Sequence, residues 1–204
     1  MNIFFTSDTH FGHKKIIDYC KRPFGSVEEM DNALIENWNS CVSEGDILYH
    51  LGDFAWSGRE VEYLEQLNGE IWLVPGNHDP YPSVAYEAKM AYWSDDLRLK
   101  VSLLPRIHKM KIQKQLIILC HYPMLIWDES HYGSWHLYGH LHGTLPQSLN
   151  LKSMDVGVDS NNYTPVSFER VSEVMAEKNH VVWSNRLPGF EQLVEDTIEE
   201  TLDV

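Results

Sequence analysis

The sequence predicts an α/β fold in which parallel strands carry polar residues to one end of a sheet. Three observations predict it. Short apolar runs alternate with helix-period segments over residues 3–74 in the order β-α-α-β-α-β, and these runs end in polar, glycine-containing clusters. Farther on, Leu116–Leu119 is a continuous apolar run of the kind shown by a strand buried on both faces.

Taken in order, Ile3–Thr6 is the first strand. His13–Arg22 places Ile16, Ile17 and Cys20 at helical spacing until Pro23 ends the helix. Ser26 with Glu29 is a capping box for a helix carrying Met30, Leu34, Ile35 and Trp38. Ile47–His50 is the second strand, Arg59–Leu67 a helix, and Ile71–Val74 the third strand, closed by Pro75 and Gly76. In the middle, Leu97–Leu103 and Lys109–Lys114 alternate as sheet does, and Trp135–Tyr138 is a short strand before Gly139. Asp155–Val158 and Pro165–Phe168 read as short edge strands, with Ser167 able to cap a helix over Glu169–Glu177. Trp38, Trp72 and Trp135 fall on helix or strand positions and are expected in the core.

Composition narrows the function. A chain of 204 residues, 43% of them hydrophobic, can bury a large core and is far from disordered. Its 30 acidic residues outweigh 16 basic ones, and the net charge of -14 repels duplex nucleic acid and anionic membranes. The apolar run Ile3–Phe5 is too short for a signal peptide or a membrane span. Cys20, Cys41 and Cys120 are odd in number and have no paired ligand spacing, so they read as buried small hydrophobes of a cytoplasmic protein.

Five polar clusters follow strands or strand-like runs: Asp8-Thr9-His10, Gly52-Asp53, Gly76-Asn77-His78-Asp79, His121, and Gly139-His140-Leu141-His142. Open α/β sheets bind ligands beyond the carboxyl ends of their strands, so the five converge on one crevice. Asp8 and His10, like His140 and His142, can point the same way if the backbone is extended. Mixed carboxylate, imidazole and amide donors suit manganese, iron, zinc or nickel better than calcium. Seven donors exceed what one transition ion takes, whereas two ions about 3.5–4 Å apart and sharing a carboxylate fit the count.

These blocks, D-x-H, G-D, G-N-H-D, H and G-H-x-H in that order, resemble those of the calcineurin-like metallophosphoesterases, specifically a small single-domain prokaryotic or phage-type member; the likeness spans about Asn2 to Phe168. The resemblance implies a four-layer αββα sandwich of the metallo-dependent phosphatase type. It implies a binuclear centre of two divalent transition ions, manganese first, with iron, nickel or zinc as alternatives. Asp8, His10, Asp53 and His142 would hold one ion; Asp53, Asn77, His121 and His140 would hold the other. Phosphate-ester hydrolysis by a water or hydroxide between the ions is the implied chemistry. His78 would be a non-ligand imidazole that stabilises the phosphoryl group or protonates the leaving oxygen, and Asp79 is expected to orient a histidine ring.

Outside the blocks, His13 could reach the phosphate or serve as a helix-start residue, and His50 reads as a satisfied buried histidine. Arg22 and Trp56 are further candidate substrate contacts. Trp127 and Tyr122 are expected on loops rimming the site, and one of Asp155 and Asp159 is expected to support a ligand from behind. The expected substrate is a small phosphodiester or nucleotide-type ester. A phosphomonoesterase, a nucleotide pyrophosphatase, a nuclease and an inactive binding module are the alternatives; charge disfavours the nuclease, and a full set of blocks disfavours the inactive module. Residues 1–180 are expected to form the phosphoesterase domain, with residues 181–204 an acidic extension. Leu193, Val194 and Ile198 of that extension could dock on the domain or on a second subunit in a homodimer.

Overall fold

A computed structural model describes residues 1–56, 58–79, 101–145 and 151–179. The elements run β1 (Ile3–Thr6), α1 (Lys14–Cys20), α2 (Val27–Cys41), β2 (Ile47–His50), α3 (Glu60–Leu64), β3 (Glu70–Leu73), β4 (Val101–Leu103), β5 (Ile107–Ile112), β6 (Gln115–Cys120), β7 (Trp135–Tyr138), β8 (Ser153–Asp155), β9 (Val166–Ser167) and α4 (Phe168–Ala176). One sheet has the order β4-β3-β2-β1-β9, and the other β5-β6-β7-β8. β1 to β4 are parallel and β9 joins β1 antiparallel; β6, β7 and β8 are parallel and β5 is antiparallel to β6.

Strand periodicity explains how the layers stack. Successive side chains of β1 point to opposite faces, so Phe4 packs among the helices with Leu34, Trp38 and Ile71, while Phe5 packs between the sheets with Ile117, Leu119 and Leu137. Helices α1 to α3 cover the outer face of the first sheet through Ile16, Met30, Leu34, Trp38, Tyr63 and Leu64. α4 contributes Phe168, Val171 and Met175 to the core between the sheets and lies against β1, β8 and β9. The result is the pair of face-packed sheets flanked by helices that the resemblance implies.

Local signals set most of the boundaries. The Ser26 hydroxyl accepts the Glu29 amide at 3.1 Å, so half of the capping box forms; the Glu29 carboxylate takes the Gly25 amide at 2.7 Å, one residue short of the expected partner. Glu28 and Glu29 then sit in the first turn of α2, where the helix dipole favours negative charge. α3 is shorter than the span 59–67, and Arg59 stands outside it as the N-cap.

Two strands are displaced from their expected positions. The alternation at Lys109–Lys114 belongs to a strand that ends at Ile112, because Gln113 and Lys114 both take positive φ and form the two-residue turn into β6. β8 runs Ser153–Asp155 in place of the expected Asp155–Val158, and Val158 instead opens a short 3₁₀ turn over Val158–Ser160. Cys120 is buried as expected, but Cys20 and Cys41 are only half-buried. Residues 97–100, residue 180 and the extension 181–204 lie outside the described residues.

Candidate metal centre

The chain leaves β1, β2, β3, β6 and β7 at the same end of the two sheets, and the five polar clusters begin there. The clusters form two groups of facing donors, Asp8, His10 and His142 in one and Asp53, His121 and His140 in the other, with the ligating atoms of each group within 4.8 Å of one another. Asp53 lies between the groups: its Oδ2 is 3.5 Å from His10 Nε2 and 3.5 Å from His121 Nε2. Asn77 joins the second group, with Oδ1 2.9 Å from His121 Nε2. All seven sequence-predicted ligands are therefore brought together.

The way they converge differs from the extended geometry expected of them. Asp8, His10, Asp53, His140 and His142 all have φ between 47° and 72°. This left-handed conformation is rare outside glycine, and its cost of roughly 1–2 kcal/mol per residue is tolerated where the surroundings hold it and a site uses it. Backbone hydrogen bonds hold it here: Asp8 N donates to Gly52 O at 3.0 Å and His10 N to Asp53 O at 3.0 Å, tying the first cluster to the second. Gly52, with φ +99°, has no room for a Cβ, which would collide with the Gly76 backbone and lie 2.9 Å from His121 Nδ1.

Each donor is aimed by its other polar atom. Asp8 Oδ2 accepts the His140 amide at 2.9 Å, leaving Oδ1 buried without a hydrogen-bond partner among the described residues, and Asp53 Oδ1 accepts the His78 amide at 2.8 Å. His121 Nδ1 donates to Leu51 O at 2.8 Å and His142 Nδ1 to Asp159 Oδ2 at 2.6 Å, so both rings turn Nε2 toward the centre. His10 Nε2 is buried and has no hydrogen-bond partner among the described residues.

The electrostatics fit a cation. Burial pushes Asp8 up to about 6 and His10 down to about 2. On His121 burial opposes charge, yet the Asp53 and Asp8 carboxylates raise its pKa. Its Nε2 faces two oxygen acceptors, Asn77 Oδ1 and Asp53 Oδ2, while Nδ1 is already committed as a donor. A lone pair at Nε2 would repel both oxygens, and positive charge between them relieves that repulsion. Two unpartnered buried donor atoms and a carboxylate oxygen shared by two groups suit divalent ions with N and O ligands.

Residues 1–156 match the family model of the calcineurin-like phosphoesterases. The chain belongs to that family. Among its relatives, an uncharacterised protein of Methanocaldococcus jannaschii is 34% identical over 88% of this chain and 94% of its own length. The Gene 66 protein of Mycobacterium phage L5 is 27% identical over 78% of this chain and 87% of its own. A solved protein of unknown function from Aquifex aeolicus shares the fold, with a TM-score of 0.64 and 22% identity, over 85% of this chain and 98% of that one. A phosphoesterase fold thus accounts for two sheets that deliver their polar strand ends to one centre.

Around the centre of this phosphoesterase, several further candidate residues lie close to the ligands. His78 is exposed, with its ring centroid 5.5 Å from that of His10 and 5.6 Å from that of Trp56. His13 caps α1 without a side-chain cap bond and stacks on Trp56 at 4.1 Å. Trp56 is 38% exposed, and Tyr122, 37% exposed, flanks His140 with ring centroids 4.8 Å apart. His50 is fully buried and satisfied: its Nδ1 accepts the Gly52 amide, and Nε2 bonds the Thr9 hydroxyl.

Three expectations are corrected. Asp79 orients no histidine ring: its buried carboxylate accepts the backbone amides of Asp53, Gly76 and Phe54 at 2.8, 2.8 and 3.1 Å, clamping the second and third clusters together. Arg22 is not open to substrate. Its side chain is buried in an ion pair with Asp159, behind the ligands, because Lys21 takes φ 52° after α1 and turns the chain inward. Trp127 lies in a small core with Ile118 and Leu151, its Nε1 donating to Ser134, and does not rim the site. Asp159, by contrast, meets the expectation of support from behind a ligand.

Proposed function

We propose that this phosphoesterase hydrolyses small phosphodiesters, nucleotide-type esters above all, at a binuclear centre. The observation that carries the proposal is Asp53 Oδ2, which is equidistant from one imidazole of each donor group. Asp8, His10, Asp53 and His142 would hold one ion, and Asp53, Asn77, His121 and His140 the other. Two bound divalent ions, manganese first, supply Lewis-acid activation of water near neutral pH and neutralise phosphoryl charge.

The chain's own residues do the rest. The aspartates and the glycine turns hold the donors in place before substrate arrives, so no reorganisation is needed during reaction. His78, exposed beside His10, would hold a phosphoryl oxygen or give a proton to the leaving oxygen. Trp56, stacked on His13, offers a flat wall to a planar leaving group. With Arg22 committed to the interior, a singly charged diester is served better than a doubly charged monoester.

The test is a panel of a chromogenic diester, a chromogenic monoester and cyclic nucleotides on manganese-loaded protein. We expect diester turnover to lead; faster monoester turnover would reassign the substrate class, and no turnover of any ester would support the inactive module. His78→Ala separates its two roles. As an acid it would cost about 10²- to 10⁴-fold in kcat/KM on an alkyl diester and far less on an aryl diester. As an oxyanion stabiliser it would cost both substrates alike.

The protein is also proposed to be cytoplasmic, with a domain running to about residue 180. Among the described residues no helix is long and apolar enough to cross a membrane. Gel filtration of the full chain and of a chain ending at residue 180 tests the proposed docking of the extension, including a homodimer.

A further inference from the structure

We propose that Arg22 and Asp159 form a positioning relay that fixes the ring of His142 for one ion of the pair and leaves the other ion's ligands untouched. The proposal rests on the binuclear reading above.

Arg22 spends all five of its N–H donors inside the protein. Nε and Nη2 grip Asp159 Oδ1 and Oδ2, both at 2.8 Å; Nη2 also donates to Asp8 O at 2.7 Å, and Nη1 to Thr9 O at 3.0 Å and Met30 Sδ at 3.3 Å. Asp159, held in that fork, accepts the His142 Nδ1–H at 2.6 Å. His142 Nε2 then points toward Asp8, 3.9 Å from its unpartnered Oδ1.

One guanidinium therefore positions two members of the same donor group: Asp8 through its backbone carbonyl, and His142 through a carboxylate. Its bonds end on Asp8, Thr9, Met30 and Asp159, and none reaches Asn77, His121 or His140. A buried ion pair contributes little net stability compared with apolar residues of similar volume, because both charges give up hydration. What it provides here is geometry, since a planar fork fixes both carboxylate oxygens and a lysine ammonium cannot. The carboxylate in turn fixes the tautomer and direction of the imidazole, the usual way a ligand histidine is supported.

The experiment is manganese titration of metal-free wild type, Arg22→Lys and Asp159→Asn by calorimetry, with electron paramagnetic resonance of each loaded protein and circular dichroism to check folding. Wild type should take two ions and give an exchange-coupled spectrum. Each variant should keep one ion at wild-type affinity and bind the other about 10- to 100-fold more weakly, giving the spectrum of isolated manganese at intermediate loading. If Arg22→Lys does not fold, Asp159→Asn carries the test, because its one remaining oxygen can still accept from His142 while its NH₂ breaks the fork with Arg22. Two ions held at wild-type affinity in the folded variants would overturn the relay, as would equal weakening of both ions, the mark of a merely structural role. Fewer than two ions in wild type would overturn the binuclear reading and the relay with it, a result distinct from failure of the relay alone.

Discussion

Replacing Asp79 by asparagine should unhinge the site from behind without touching any candidate ligand. Asp79 Oδ2 accepts the amides of Asp53 and Gly76, and Oδ1 accepts that of Phe54, in a place only 5% exposed. Asparagine keeps one acceptor oxygen for the first two amides, and because burial raises the Asp79 pKa, removing the charge offsets the weakening of those two bonds. Its NH₂ then faces the Phe54 N–H, so a charge-assisted bond worth about 2 kcal/mol is lost and a buried donor without an acceptor costs about 1–2 kcal/mol more. The sum is a loss of about 3–4 kcal/mol, and with a urea dependence of about 2 kcal/mol per molar the unfolding midpoint should fall by about 1.5–2 M. Manganese affinity should fall as well, because Asp53 and Asn77 ride on the two loops that Asp79 joins. Urea unfolding of metal-free protein is the assay. A midpoint within about 0.3 M of wild type would refute the clamp, since a change under about 0.5 kcal/mol is what a side chain outside the packing network gives.

Acid should destabilise the protein through its buried neutral histidines. Burial lowers His50 to about 3 and His136 to about 4 from the ordinary 6.5, so the unfolded chain binds these protons first and stability falls as pH drops through 6.5. By pH 5 each should have cost about 2 kcal/mol, and in His136→Gln the loss between pH 7 and 5 in metal-free protein should be smaller by about that amount; an unchanged difference would contradict the assignment. Gly139→Ala should fold poorly or lose metal, because a Cβ there meets Ser7 Oγ and Asp8 Oδ2; wild-type manganese affinity in that variant would count against the close approach.

The positions of the candidate ligands are legible in the sequence because strand ends in a parallel sheet share one side, and short polar blocks after apolar runs mark those ends. The conformation that aims them is not. Asp8 and His10 look like alternating residues of a strand, and only the backbone bonds to Gly52 and Asp53, some 45 residues away, reveal the left-handed turn. Arg22 escapes the sequence for a similar reason: its partner Asp159 is 137 residues distant, and nothing beside it in the chain shows that it faces inward. Asp79 sits next to a histidine in sequence, which suggests a ring partner, but its carboxylate turns back toward amides 25 and 26 residues earlier. Likewise, the turn at Gln113 and Lys114 has no glycine or asparagine to announce it; the register of β5 and β6 imposes it.

The central claim is that one carboxylate, Asp53, holds two ions together. Elemental analysis of manganese-saturated, gel-filtered protein, run beside activity on a chromogenic diester, tests it most directly. Wild type should hold two ions per chain, with activity that disappears with chelator and returns with metal, and Asp53→Asn should lose both ions and activity. A stoichiometry of zero or one at full activity, or an Asp53→Asn protein that keeps both ions, would contradict it.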